Sequence, residues 1–173
     1  MRNDDKQNAI KETGIDASLP DPDDPSADPV AGVYFNNLSF SKLDWYLNAD
    51  TQIGQGIKNG DGTCSYRITV TLTNIMTQEE AGKLPDYVAS APDAARDDER
   101  LNVSLFAPTG GNISDLTVEG TQFGLGAATW HGIPFYSGTV DLHAGETTTI
   151  TYTLTTSAEA GDKPLTLRQT PTC

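Results

Sequence analysis

The side chains best suited to catalysis or metal binding in this sequence are its two histidines, His131 and His143. His131 precedes a glycine in a predicted loop, and His143 ends a predicted strand on its polar face. Neither lies in a known nucleophile motif, and a two-histidine metal site would need Asp or Glu ligands from elsewhere in the chain. We therefore predict no catalytic residue, no metal site and no cofactor. A hydrolase that uses the histidines and the acidic residues of 93–99 is one alternative.

Three aromatic residues, Tyr34, Tyr46 and Trp130, are the candidates for a binding surface. Aromatic rings have apolar faces, and exposed rings of this kind can stack on the apolar faces of sugars. We predict that Tyr34 and Tyr46 face outward from their strands, whereas Trp45 faces inward as a core residue. The other interpretation of the three candidates is that they cover the edges of the core.

The two cysteines, Cys64 and Cys173, are predicted to form a disulfide. Cys64 precedes the clearest strand and Cys173 follows the last one, so the sulfur atoms would be close if these strands were antiparallel neighbours. The closed loop of roughly 110 residues would contribute about 4–5 kcal/mol in the chain-entropy model. Such a bond implies an oxidising compartment. The alternative is two unpaired thiols.

Apolar and polar residues alternate in several segments of the chain, which predicts β-strands with one buried face. The clearest strand is 64–74, where four apolar residues alternate with arginine and threonine. In 32–47 the same alternation predicts two strands joined by a turn at 36–39. These strands need a second sheet to cover their apolar faces.

About eight predicted strands are joined mostly by turns, and no predicted helix is long enough to cover a sheet. Thr77 and Glu80 form a capping box, which predicts a helix of at most one or two turns that ends at Gly82. Since two antiparallel sheets must then cover each other, we predict an all-β fold, an immunoglobulin-like antiparallel β-sandwich. A barrel is the alternative. Residues 83–100 are predicted to form a long crossover loop between the sheets.

Composition divides the chain into a first part, 1–29, and a second, 30–173. The first part has few apolar residues and a Pro/Asp-rich stretch, so we predict a disordered, flexible acidic linker. Its alternating aspartates resemble a calcium loop, but the glycine and the distal glutamate of an EF-hand are missing. The second part is the predicted β-sandwich domain.

The charge of the chain bears on its partners. Its 24 acidic residues outnumber the 11 basic ones, and the formal net charge is −13. Because nucleic-acid phosphates need a basic surface, we predict no nucleic-acid binding. No run of about 18 apolar residues occurs, so we predict no membrane insertion by this chain.

The segment at 33–47 resembles the C-terminal part of the family called domain of unknown function 4012. The motifs that carry the resemblance are Val33-Tyr34-Phe35-Asn36-Asn37 and Ser41-Lys42-Leu43-Asp44-Trp45-Tyr46-Leu47. It continues through Cys64, the strand at 67–74, Leu84-Pro85-Asp86-Tyr87 and the segment 103–108. The resemblance implies a module of a membrane-anchored cell-envelope protein of Gram-positive bacteria. It implies no activity, because none is established for that family.

From the fold and the resemblance together we predict a non-catalytic extracellular β-sandwich module of a cell-surface protein. Its expected role is structural, in adhesion or in assembly at the envelope, with a cell-envelope protein or polysaccharide as partner. The alternative is an accessory module that binds carbohydrate or a cell-wall polymer.

Overall fold

Ten β-strands make up most of the structure, a computed structural model that describes residues 23–39, 41–89, 95–119 and 126–172. The strands are β1 (Val30–Asn37), β2 (Leu47–Ile53), β3 (Ile57–Lys58), β4 (Cys64–Asn74), β5 (Glu99–Phe106), β6 (Asn112–Glu119), β7 (Gly126–Trp130), β8 (Ile133–Leu142), β9 (Thr147–Thr155) and β10 (Thr166–Gln169).

The strands form two sheets. One has the order β10-β1-β5-β8-β7, and the other has the order β2-β4-β9-β6, with the short β3 paired to β4. Neighbouring strands are antiparallel except for β1 and β10, which run parallel. The predicted all-β, immunoglobulin-like sandwich is confirmed, with ten strands rather than about eight.

The main core lies between the two sheets and is built from alternate residues of the strands. In β4, for example, Ile68, Val70 and Leu72 are fully buried, while the threonines between them lie on the outer face. The buried members of this core are Ala31, Val33, Phe35, Leu47, Ile68, Val70, Leu72, Leu101, Val103, Leu105, Ala107, Ile113, Val140, Leu142, Ile150, Tyr152, Leu154 and Leu165. The period of two found in the sequence is therefore the period of burial.

Tyr152, on β9, is a fully buried core residue whose hydroxyl has no hydrogen-bond partner among the described residues. Removing a hydroxyl from water without a new partner costs about 1–3 kcal/mol. We therefore expect Tyr152→Phe to raise the free energy of unfolding by about 1 kcal/mol in urea titrations. Tyr66→Phe is the control, because the Tyr66 hydroxyl is hydrogen-bonded to Cys64 and to the Leu165 backbone. A loss of stability in Tyr152→Phe as large as that in the control would contradict this expectation.

The crossover from β4 to β5 contains two short helices, α1 (Gln78–Lys83) and α2 (Asp86–Ala89). The predicted capping box is confirmed, since the Thr77 side chain accepts a hydrogen bond from Glu80 N and Thr77 N donates to Glu80 Oε2 at 2.9 Å. Beneath these helices lies a second, smaller apolar cluster, which we call the satellite core. Its buried members are Leu43, Met76, Ala81 and Ala89.

The domain begins with β1 at Val30, and the predicted linker 1–29 lies only partly within the described residues. In its described part, 23–29, the Asp24 carboxylate accepts hydrogen bonds from Ser26, and Lys163 Nζ donates to Ser26 O at 2.6 Å. Residues 1–22 lie outside the described residues. Among the described helices, none is long and apolar enough to span a membrane.

Candidate functional site

Trp45 is the most exposed large aromatic side chain of the described structure, with 71% of its surface accessible. It lies in a 3-10 turn, Leu43–Tyr46, that leads directly into β2. Leu43 and Leu47 on either side of it are buried, in the satellite core and the main core respectively. Two buried leucines thus fix the backbone of an exposed tryptophan.

The prediction that Trp45 faces inward is wrong, and so is the strand predicted across 42–47. A strand would place Leu43, Trp45 and Leu47 on one face, whereas a helical turn brings together residues three or four positions apart. Leu43, Tyr46 and Leu47 have that spacing, and Tyr46 packs partly buried against the satellite core. The helical spacing of Leu43, Tyr46 and Leu47 is visible in the sequence, and it could have identified Trp45 as an exposed residue.

A groove of about 450 Å³ runs beside Trp45. We call it the Trp45 groove. Buried Phe35 and Leu47 contribute to its lining, and the segment after β10 contributes Pro171 and Thr172. The complete lining is Phe35, Asn36, Asn37, Lys42, Asp44, Trp45, Leu47, Thr170, Pro171 and Thr172.

Hydrogen bonds hold two of the polar residues in the groove. Thr170 Oγ1 accepts from Phe35 N at 3.0 Å, which attaches the C-terminal segment to β1. Asn37 Oδ1 accepts from Ser39 N at 2.7 Å and closes the turn after β1. Asn36 and Asp44 are exposed, and their side chains make no hydrogen bond to another described residue. They are therefore available to a bound molecule.

Further exposed apolar side chains lie on the segments around Trp45. Tyr87, 70% exposed, carries Lys42 Nζ above its ring at 5.3 Å from the centroid. Backbone hydrogen bonds from Lys42 N to Val88 O and from Ile75 N to Tyr46 O join these segments at 2.8 and 2.9 Å. We call the four exposed side chains of these segments the Trp45 surface: Leu38, Trp45, Ile75 and Tyr87.

Two of the predicted binding residues, Tyr34 and Trp130, belong to one aromatic cluster on the other sheet. Phe106 lies at its centre, stacked on Phe135 at 4.7 Å and edge-on to Tyr34 at 5.8 Å and Trp130 at 6.4 Å. The Tyr34 ring covers Gly32 so closely that a Cβ atom there would lie 2.5 Å from it. Phe106 is buried, and the other three rings are half-buried.

His131 and Gly132 form the two-residue turn between β7 and β8, with φ angles of 46° and 82°. Positive φ at both positions matches the type I′ turns that favour hairpins. The His131 ring lies edge-on to Trp130 at 4.6 Å. The turn predicted at His131 is thus found in the structure.

His143 faces two carboxylates of the crossover, Asp97 and Asp98, and the possible ligand atoms of the three lie within 4.8 Å of one another. Burial alone would raise the pKa of Asp97, but hydrogen bonds from Gln78 and Ala144 N outweigh it and hold that pKa below its ordinary value. His143 N also donates to Glu146 Oε2 at 2.9 Å. These contacts attach the end of the crossover to the turn between β8 and β9.

Glu99, the first residue of β5, is the most unusual ionisable group of the described structure. It is 0% exposed, and neither carboxylate oxygen has a hydrogen-bond partner among the described residues. Burial, together with the negative charge of Asp44, raises the pKa of Glu99 to about 8. The carboxyl group is therefore mostly protonated at pH 7, and solvent has no direct access to it.

The predicted disulfide cannot be located, because Cys173 lies outside the described residues. Cys64 is buried at the start of β4 and forms no disulfide with another described residue. The disulfide stays a prediction, which thiol titration of the denatured, unreduced protein would test.

No protein-family model matches the chain, and no curated protein is significantly similar to it in sequence. The resemblance to the domain of unknown function 4012 family therefore stays a prediction, as does the envelope location that it implies.

Proposed function

We propose that this chain is a non-catalytic binding module that serves adhesion or assembly at a cell surface, with the Trp45 surface as its contact region. The observation that carries the proposal is the exposure of Trp45 on a turn fixed by two buried leucines. Large exposed apolar patches on a folded domain commonly mark interaction sites. The extracellular, Gram-positive location rests on the sequence resemblance.

A tryptophan mounted in this way is well suited to binding. Burying its indole in a contact is favourable, and little conformational freedom is lost because the supporting turn is already ordered. Tryptophan and tyrosine are enriched among residues that dominate binding energy at interfaces. Trp45 and Tyr87 are both exposed, and they lie on segments that the hydrogen bond from Lys42 N to Val88 O joins.

The non-catalytic part of the proposal is supported by the position of the ionisable groups. Glu99 has a strongly raised pKa but no access to solvent, and His131 forms a hairpin turn. His143 lies beside the carboxylates of Asp97 and Asp98, and Asp97 also accepts hydrogen bonds from Gln78 Nε2 and Ala144 N. A hydrolase would need such groups to reach a substrate in a common cleft.

The test is a binding assay with fluorescently labelled chain on intact Gram-positive cells. Replacing Trp45 by Ala should weaken binding about thirty-fold, which corresponds to the ~2 kcal/mol typical of a dominant interface residue. Because Trp45 is exposed, the variant should unfold at the same urea concentration as the natural protein.

The matched control is Ile57→Ala. Ile57 is 68% exposed but lies on β3, which pairs with the Cys64 end of β4. The Ile57→Ala variant should bind cells as tightly as the natural protein does. Equal binding by the Trp45 and Ile57 variants would overturn the proposal.

A further inference from the structure

We infer that the ligand of the Trp45 groove is a neutral polysaccharide chain, an inference that rests on the proposed function and names its ligand class. A groove of about 450 Å³ lies within the ~300–1,000 Å³ typical of ligand sites. It is an open groove between the turn that carries Trp45 and the segment 170–172. Because the groove is open to solvent, one unit of a longer chain can occupy it while the other units remain outside.

The mixture of groups in the groove matches a sugar ring. A pyranose has an apolar face of C–H groups, which can lie on the Trp45 indole, and a rim of hydroxyl groups that both donate and accept hydrogen bonds. The Asn36 amide and the Asp44 carboxylate are exposed beside the indole and make no hydrogen bonds to described residues. Sugar hydroxyls supply partners to both of these side chains at once.

An apolar protein segment would fit less well. It would cover Asn36 and Asp44 without offering them partners, and each buried polar group left unpaired costs about 1–3 kcal/mol. The buried floor of Phe35 and Leu47 is already part of the protein core and offers little further apolar surface to a partner.

Charge limits the kind of polysaccharide. Among the described residues that line the groove, Lys42 is the one cation and Asp44 the one anion, and the net charge of the whole chain is −13. A polymer with a phosphate or carboxylate on every unit would be repelled by the protein as a whole. A neutral glycan avoids this repulsion, and its binding should depend little on salt.

The aromatic cluster around Phe106 does not offer the same site. Its rings are stacked or edge-on to one another, so their faces are partly covered already. Trp45 has no ring contact of this kind to another described residue. The Trp45 groove therefore combines an accessible indole face with two polar side chains, Asn36 and Asp44, that have no partner among the described residues.

Calorimetry and fluorescence titration with cellohexaose, maltohexaose and chitohexaose test the inference. Trp130→Phe leaves Trp45 as the only tryptophan, so a change in emission reports on the groove. At least one of the three glycans should change the emission and release heat. Trp45→Ala should weaken its binding at least tenfold and Asn36→Ala several-fold, whereas Ile57→Ala should leave it unchanged.

Two results would overturn the inference: no change with any of the three glycans, or binding that survives in Trp45→Ala. If none of the glycans binds while Trp45→Ala still loses attachment to cells, the inference fails, whereas the proposed function stands with a partner of another class. If Trp45→Ala keeps both activities, the proposed function fails as well.

Discussion

Replacing Glu99 by Gln should remove most of the loss of stability that the natural protein suffers between pH 5 and pH 8. The pKa of Glu99 is raised to about 8 in the folded chain, mainly by burial and further by the charge of Asp44. In the unfolded chain the pKa of a glutamate is about 4.3. The folded state therefore binds the proton more tightly.

The sign of the effect follows from this difference. Between the two pKa values the folded state holds more protons than the unfolded state, so stability falls as pH rises. The contribution is fully present below about pH 4 and is lost as pH rises through 8. Since each pH unit corresponds to about 1.4 kcal/mol and the slope flattens near the folded pKa, the natural protein should lose about 3.5 kcal/mol through this group between pH 5 and 8.

The measurement is a series of urea unfolding curves for both proteins across this pH range. The difference between Glu99→Gln and the natural protein should change by about 3.5 kcal/mol from pH 5 to 8. A buried Gln amide adds a constant offset but no pH dependence. Glu119→Gln, an exposed change on β6, should follow the natural protein throughout. A difference that stays constant with pH would contradict the assignment.

The sandwich was predictable because its strands have one buried face each. Over 68–72 in β4 and 150–154 in β9, the apolar residues are buried and the threonines between them are partly exposed. The helix cap at Thr77 was predictable because it depends on residues three positions apart. Such local patterns are visible without knowledge of the partners.

The order of the strands was not predictable, because it depends on contacts between distant segments. Nothing local indicates that β10 pairs in parallel with β1, or that residues 171–172 reach the Trp45 groove. The burial of Glu99 is also a long-range effect, since at its own position the sequence shows only a charged run before a strand. A charged residue in such a run is usually exposed, but tertiary packing buries Glu99.

The orientation of Trp45 could not be decided by alternation alone. Apolar residues at 43, 45, 46 and 47 fit both a strand and a helical turn, because short apolar runs carry no unique period. Burial of Leu43 in the satellite core selects the turn and turns Trp45 outward. The sequence therefore contained the candidate site, but its exposed aromatic residue is Trp45 and not Tyr46 beside it.

Because the turn that carries Trp45 depends on the burial of Leu43, we expect a second large loss of stability in Leu43→Ala. Leu43 is fully buried in the satellite core with Met76, Ala81 and Ala89. Removing a buried leucine side chain costs about 2–5 kcal/mol, and this cluster has few other large side chains to fill the space. We expect a loss of about 3 kcal/mol in urea unfolding and a loosened turn that no longer holds Trp45 in place.

A main-core variant separates these two consequences. Leu154→Ala, on β9, should lose a similar amount of stability, because Leu154 is also fully buried. Under conditions where both variants are still folded, only Leu43→Ala should bind cells more weakly, because Leu43, unlike Leu154, supports the turn that carries Trp45. Equal binding by the two variants would show that the satellite core stabilises the fold without orienting Trp45.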